Sequence, residues 1–384
     1  MDCCYLKFKE IIMIVGVPKE IKNQEHRVGL IPSSVHELVS HGHKVIVQHD
    51  AGIGAGFNDA DYEAVGAIIS NNAEEIYAKS EMIVKVKEPQ ENECKMLHEG
   101  QILYAYLHVA PDPEQAKALI ASRCTAIAYE TVTDNSGKLP LLTPMSEVAG
   151  RLAVQVGAHA LEKKQGGSGV LLGGVPGVPA GTIVIIGAGV VGTNAIIAAV
   201  GIGAHVIVMD KYMPRLQELD LIFGSRITTV YASAVNIEKY IVLADLIIGA
   251  VLVPGTTAPK VITRAMLSKM KPGSVLVDVA VDQGGCFETT RATTHDNPMY
   301  IEEGIIHYCV ANMPGAVPRT SAVALNNATL PFALALADKG YKKALIEDKN
   351  LLNGLNIHKG QVTYKAVADA CNCVYVPALE ALSK

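Results

Sequence analysis

Short apolar runs alternate with segments of helical periodicity along almost the whole chain, the pattern of a parallel α/β sheet. From Met13 the order reads strand IVGVP, helix PSSVHELVSHG and strand KVIVQ, with Pro32 opening the helix and Gly42 ending it. A second helix is expected over 59–65, extended by 72–78, and then a strand over 82–86 that stops at Lys87, Glu88 and Pro89. The run QILYAYLH forms the next strand and places His108 at its end. A helix over 113–122 and a strand over 125–129 complete this set. The polar loop KEIKNQEHR follows the first strand. Arg27, Lys87 and His108 therefore all fall at the C-terminal ends of expected parallel strands, the edge where open α/β sheets hold ligands.

A long helical pattern starts at Ser146 and Glu147, after the turn Asp134-Asn135-Ser136-Gly137, and is expected to cross into a second domain. Beyond a glycine–proline loop over 166–181 the alternation resumes, with strands over 182–186, 205–209, 228–232, 245–250, 274–282 and 306–310. From Pro318 the pattern reads as wholly helical to the C-terminus, a tail expected to pack back on the first domain.

The stretch TIVIIGAGVVGTNAIIAAVGIGAHVIVMD, residues 182–210, carries the most specific signal. A β-branched run leads into Gly187, Gly189 and Gly192 in the spacing G-x-G-x-x-G; a helix and a second apolar run follow, ending at Asp210. Gly187 permits the tight turn, Gly189 lets backbone approach a pyrophosphate, and Gly192 lets helix and strand pack closely. The helix N-terminus faces the phosphates with free N–H groups. Asp210 stands 18 residues after Gly192 and can accept hydrogen bonds from the adenosine ribose. It repels a 2′-phosphate, so NAD is favoured over NADP, with Lys211 beside it weakening that preference. The fold class is thus α/β, two Rossmann-like doubly wound domains with a cleft between them, the first completed by C-terminal helices. The expected division is 1–140 with 319–384, and 141–318.

Composition narrows the function classes. Of 384 residues, 49% are hydrophobic and 18% charged, which excludes disorder and suits buried parallel sheets. A net charge of −5, no tryptophan and 5% aromatics argue against nucleic acid as a partner. No Asp, Glu, Lys or Arg occurs between Lys164 and Asp210, but Pro176, Pro179 and frequent glycines break any apolar helix long enough to span a membrane. Eight cysteines show no CxxC pair and read as free thiols of a reducing cytoplasm. His41, His43 and His49 flank a turn and a short strand without matching carboxylates, so no metal is expected. Residues 1–12 read as a dispensable extension.

Arg27 can grip a carboxylate with its guanidinium fork, and Lys87 can polarise a carbonyl or hold the same carboxylate. His108 titrates nearest neutrality and can move the proton that accompanies hydride transfer, while Asp282, ending its expected strand, can orient water or steady a cationic nitrogen. Each charge could instead be an ordinary surface or ion-pairing group. Cys286 lacks a neighbouring base and is not read as a nucleophile.

The segments VGVPKEIKNQEHRV, VKVKEP, GQILYAYLH, YETV, PLLTPMSEVAGR, GGVPGV, ADLIIGAVLVPG, VDVAVDQGGCFE and CVANMPGAVP resemble the alanine dehydrogenase family. That family includes the nucleotide-binding alpha subunit of the proton-pumping transhydrogenase. The resemblance runs from Met13 almost to the end. It implies a reversible NAD-dependent deamination of L-alanine to pyruvate and ammonium, with 1–140 and 319–384 as substrate domain and 141–318 binding NAD. It assigns substrate binding to Arg27 and Lys87 and acid–base roles to His108 and Asp282. NAD contacts would come from Ser146, Val190, Val191, Asp210, Arg215, Val251, Leu252, Val279, Ala280, Val281, Asp282, Arg291, Val310, Ala311, Asn312 and Met313, beside the three glycines. It also implies a cytoplasmic homohexamer. Two departures stand out: Arg215 replaces a frequent lysine, and Ala232 stands where a serine often meets the cofactor, with Ser233 adjacent. The transhydrogenase subunit is the rival within the family, and a catalytically silent NAD-binding regulator is the rival outside it. The joint presence of Arg27, Lys87 and His108 argues against both.

Overall fold

The computed structural model describes residues 12–251 and 258–383, which form two compact units, Met1–Met145 with Val317–Lys384, and Ser146–Ala316. The first unit begins with β1 (Ile14–Val17), α1 (Pro32–Ser40), β2 (Lys44–Gln48), α2 (Asp59–Glu63), β3 (Ile68–Ser70) and α3 (Ala73–Lys79). It continues with β4 (Met82–Val84), α4 (Glu91–Cys94), β5 (Ile102–Ala105), α5 (Pro113–Ser122) and β6 (Thr125–Ala128). Helix α6 (Thr143–Ala160) contains the boundary between the units.

The second unit holds β7 (Thr182–Ile186), α7 (Val190–Gly201), β8 (His205–Asp210), α8 (Met213–Phe223), β9 (Ile227–Tyr231), α9 (Ala234–Ile241) and β10 (Leu246–Gly249). Then come α10 (Arg264–Leu267), β11 (Val275–Asp278), β12 (Met299–Glu302) and β13 (Ile305–Tyr308). The chain returns to the first unit with α11 (Pro318–Lys339), α12 (Tyr341–Glu347), α13 (Lys349–Leu352), β14 (Leu355–His358), β15 (Gln361–Val362), α14 (Lys365–Cys371) and α15 (Ala378–Ser383).

Each unit is built on one doubly wound sheet. The first runs β15-β14-β6-β5-β4-β1-β2-β3, the second β12-β13-β11-β10-β7-β8-β9. In each, the parallel strands follow the order 3-2-1-4-5-6, so chain direction across the sheet reverses between β1 and β4, and between β7 and β10. The central strands are buried on both faces; β5, β6, β10 and β11 are wholly so. This is why they read as continuous apolar runs rather than alternating ones.

Several elements differ from the sequence-based expectation. The stretch between α2 and α3 contains the edge strand β3, paired in parallel with β2. Its three residues are too few to show a period. The tail is not wholly helical: β14 pairs antiparallel with β6 and β15 with β14, extending the first sheet. Helix α6 begins at Thr143, so Ser146 lies inside the first turn instead of at its start. The long expected strand ending at Asp282 stops at Asp278, and Asp282 sits in a 3-10 turn, Val281–Gln283.

Among the described residues one helix, α11, is long and apolar enough to cross a membrane by length and composition alone. It carries Pro331 within it and buries Leu325, Asn326, Thr329, Ala333 and Leu336. Asn326 accepts the backbone N–H of Ile31, which precedes α1, at 2.9 Å. That is the packing of a core helix.

Candidate active site

In the first unit the switch between β1 and β4 brings two cations together. Gly29, in the loop after β1, lies so close to β4 that a Cβ would stand 2.3 Å from the Val84 carbonyl oxygen. Only glycine allows this approach, which carries Arg27 alongside the strand leading to Lys87. Arg27 is buried, and Glu25 takes one edge of its fork: Oε1 accepts from the Arg27 backbone N at 3.0 Å and from Nε at 2.7 Å, and Oε2 from Nη2 at 2.5 Å. The remaining amino group, Nη1, points to Met145 Sδ at 3.1 Å. Burial opposes ionisation of Glu25, but Arg27 outweighs it and pulls the carboxyl down to about 2.

Lys87 is half-buried, and its ammonium pKa is lowered, first by burial and then by the Arg27 charge. Its backbone hangs on a buried network. Glu20 Oε1 accepts Val86 N at 2.7 Å and Lys87 N at 3.4 Å, while Glu20 Oε2 accepts Lys85 Nζ at 3.0 Å. Lys85 also donates to Glu93 at 2.8 Å, and Tyr77 OH to the same oxygen at 3.1 Å. Removing one member of such a dry triad strands a charge, at a cost of about 3–5 kcal/mol.

His108 lies beyond the end of β5, with an exposed side chain and left-handed backbone, φ +47. Its ring stacks on Tyr106, centroids 6.0 Å apart and planes 9° apart. A groove of about 940 Å³ lies beside Lys22, Glu88, Gln90, Lys95, Asp112 and Lys117; Arg27, Lys87 and His108 do not line it.

In the second unit, Gly187, Val251, Val279 and Val310 each follow the C-terminal end of a parallel strand of one sheet. Gly187 has φ +98, and a Cβ there would meet the Ala250 carbonyl at 2.4 Å. A Cβ on Gly192 would stand 1.9 Å from the Gly187 carbonyl, so the helix can leave the turn only with glycine there. At Gly189 a Cβ would meet nothing within 4 Å. That opening lies at the N-terminus of α7, where Val190 is exposed and the terminal N–H groups have no side-chain cap. Asp210 Oδ2 accepts Ala188 N at 2.7 Å and Oδ1 accepts Tyr212 N at 2.8 Å, leaving lone pairs for ribose hydroxyls. An open cradle, an uncapped helix start and a half-buried acid fit a dinucleotide.

Arg215 is committed to the protein. Its Nε donates to the Ala188 carbonyl at 2.9 Å, Nη2 to Thr193 Oγ1 at 2.5 Å, and Nη1 pairs with Glu218. It ties α8 to the glycine turn. Ser146 and Val191 are half-buried, and α6 is fixed to α7 by Arg151 Nε on Asn194 Oδ1 at 3.0 Å. Ala232 is buried, and Ser233 caps α9 by accepting Asn236 N at 3.2 Å.

Asp282 is exposed. Its turn, with Ala280 and Val281 buried, is shaped by the buried Asp278, which accepts Ala280 N at 3.0 Å, Cys286 N at 2.8 Å and Thr290 Oγ1 at 2.5 Å. Arg291 is exposed, with its guanidinium 3.9 Å over the Tyr300 ring. Ala311 N donates to Thr293 O at 3.2 Å, Asn312 takes φ +61, and buried Met313 opens a 3-10 turn, Met313–Ala316. Leu252 and residues 1–11 lie outside the described residues.

Sequence reasoning missed Glu20, Glu25, Glu130 and Asp278, acids whose partners become visible only once strands are paired. The histidines expected to lack carboxylates have them: His43 Nε2 meets Asp338 at 2.9 Å, His41 meets the same acid at 3.1 Å, and His49 pairs with Asp59 and Asp50. Asp338 comes from α11, far along the chain. His49, Asp50 and Asp59 offer ligand atoms within 4.8 Å of one another, a grouping that the sequence pattern did not reveal. Cys286 is fully buried and its thiol pKa is pushed well up by burial, which leaves it inert.

A family model described as Alanine dehydrogenase/PNT, N-terminal domain, matches residues 16–149, and its C-terminal counterpart matches 153–365. The chain is 58% identical over 366 residues to an alanine dehydrogenase of Halomonas elongata, covering 95% of this chain and 99% of that one. It is similar to a solved L-alanine dehydrogenase structure, with 52% identity and a TM-score of 0.91 over 93% of this chain and 99% of that one. A transhydrogenase structure from Sinorhizobium meliloti is less similar, with 27% identity and a TM-score of 0.78 over 92% of this chain and 99% of that one. Both halves of the chain match together, and this chain belongs to the alanine dehydrogenase/PNT family.

Proposed function

We propose that this protein catalyses the reversible NAD-dependent oxidative deamination of L-alanine to pyruvate and ammonium. The observation that carries the reading is the cation pair of the first unit. Glu25 neutralises Arg27, and Lys87 beside it adds a positive charge in a half-buried setting that depresses its own pKa. A small carboxylate relieves that charge, and alanine and pyruvate both bring one. The second unit supplies a glycine cradle and an acid suited to an adenosine ribose.

NAD⁺, when bound, supplies the hydride acceptor for the alanine Cα–H. Gly187, Gly189 and Gly192 would admit its pyrophosphate to the start of α7, and Asp210 would take its ribose. Ser146, Val190, Val191, Arg215, Val251, Leu252, Val279, Ala280, Val281, Arg291, Val310, Ala311, Asn312 and Met313 complete the proposed cofactor contacts, Arg215 by holding the glycine turn. Arg27 and Lys87 hold the substrate carboxylate, and Lys87 also polarises the carbonyl of pyruvate. Oxidised alanine is an iminium, to which water adds. The imidazole of His108 and the carboxylate of Asp282 share the proton transfers that follow: one from the adding water, one to the departing amine, and one from the carbinolamine hydroxyl as the pyruvate carbonyl forms.

The units are proposed as a substrate domain, 1–140 with 319–384, and an NAD domain, 141–318. A cytoplasmic homohexamer without membrane or nucleic-acid partner is part of the same proposal. The free cysteines among the described residues fit a reducing compartment.

The test is NADH oxidation by purified protein. It is expected only with pyruvate and ammonium together; no oxidation with both present removes the reading.

A further inference from the structure

We propose that Glu130 is a positioning residue for His108, holding the backbone that carries the imidazole rather than the ring itself. This rests on the acid–base reading of His108 above. Strands β5 and β6 pair in parallel with Ala105 opposite Ala128, so the residues that follow them emerge at the same sheet edge. Glu130 lies there in a 3-10 turn, Tyr129–Thr131. Its Oε1 accepts the backbone N–H of His108 at 2.6 Å and that of Leu107 at 3.2 Å, and its Oε2 accepts Leu107 N at 3.2 Å.

Two successive N–H groups converging on one carboxylate form a nest, an anion-binding concavity that depends on a left-handed residue. That residue is His108, at φ +47. Left-handed backbone is uncommon outside glycine and persists where the surroundings impose it. From the other side, Gln115 Nε2 donates to the Leu107 carbonyl at 2.8 Å. The imidazole Nδ1 stands 3.9 Å from Glu130 Oε1, beyond hydrogen-bond reach. The carboxylate therefore sets the direction of the His108 Cα–Cβ bond, and stacking on Tyr106 sets the ring plane. Without Glu130 the two N–H groups lose their acceptor, the turn relaxes and the imidazole swings away. Displacing a catalytic group by about 1 Å costs about 10²-fold in rate.

The test uses the full chain in pyruvate- and ammonium-dependent NADH oxidation, with Glu130→Gln, Glu130→Ala, His108→Ala and the double variants. We expect kcat to fall about tenfold in Glu130→Gln and about 10²-fold in Glu130→Ala, with NADH KM and melting temperature near those of the wild type. Because Glu130 acts through His108, adding either Glu130 change to His108→Ala should slow the enzyme no further. Double variants slower than His108→Ala by the full Glu130 factor overturn the proposal. Wild-type kcat in both Glu130 variants, with His108→Ala impaired, overturns it while sparing the acid–base reading. Full activity in His108→Ala overturns that reading and this proposal with it. Should Glu130→Ala fail to fold, the near-isosteric Glu130→Gln and its double variant decide the matter on the same criteria.

Discussion

Asp210 accepts the backbone N–H of Ala188 at 2.7 Å, so the acid that ends β8 braces the glycine turn that ends β7. One carboxylate thus serves both the loop and the proposed ribose contact. Asp210→Ala should raise the NADPH to NADH ratio of kcat/KM about tenfold and also weaken NADH, because the turn loses its brace. Steady-state kinetics with both nucleotides checks this. A wild type that uses both equally would remove Asp210 from its role in cofactor choice.

The glycines of the turn separate by function. A Cβ at Gly192 collides with the Gly187 carbonyl, whereas at Gly189, with φ −68, it meets open space. Gly192→Ala should destabilise the fold by about 3 kcal/mol. Gly189→Ala should melt like the wild type while NADH KM rises about tenfold. Melting curves beside NADH titrations distinguish the two.

The Glu25–Arg27 pair makes a prediction about acid. The Glu25 carboxyl is drawn from 4.5 down to about 2, so its contribution to stability is complete above about pH 4.5 and is lost as pH falls towards about 2. Its size is on the order of 3 kcal/mol. Denaturant melts across that window should show the loss, and Glu25→Gln should flatten it while costing stability at neutral pH.

Lys87 predicts an alkaline limb. With its pKa below the ordinary 10.5, the ammonium is lost earlier than in a free lysine, and pyruvate should bind more weakly as pH rises. Pyruvate KM measured across the alkaline range is expected to climb with a midpoint under 10.5. In Lys87→Arg, whose charge persists, the climb should vanish. An unchanged profile in that variant would assign the limb to another group.

His108→Ala should lower kcat about 10²–10⁴-fold and leave NADH KM nearly unchanged. Retained turnover would exclude His108 from proton transfer.

The second unit was largely legible because its signals are local. The glycine turn, its flanking strands and Asp210 sit within one stretch, and buried parallel strands announce themselves as apolar runs. Strands β3 and β15 carried no such signal, having three and two residues, and β14 was hidden within a helical tail. The site divides the same way. Arg27, Lys87 and His108 stand out by residue type and by position after strands. The acids that hold them do not: Glu20 and Glu130 reach their partners only through strand order, which spacing along the chain does not reveal. Asp278 and Asp282 read alike in VDVAVD, yet the first is buried as the organiser of its loop and the second is exposed.

Strand β14 has a consequence for how the chain is made. It pairs Leu355 with Ile127, so one edge of the first sheet waits for residues that leave the ribosome more than 220 positions later. Throughout that interval β6 is an open edge, able to recruit a strand from another nascent chain. The second unit, continuous in sequence, can complete its sheet first. Translation order therefore makes the glycine-turn unit the earlier folder, and the Arg27 unit closes only with the tail.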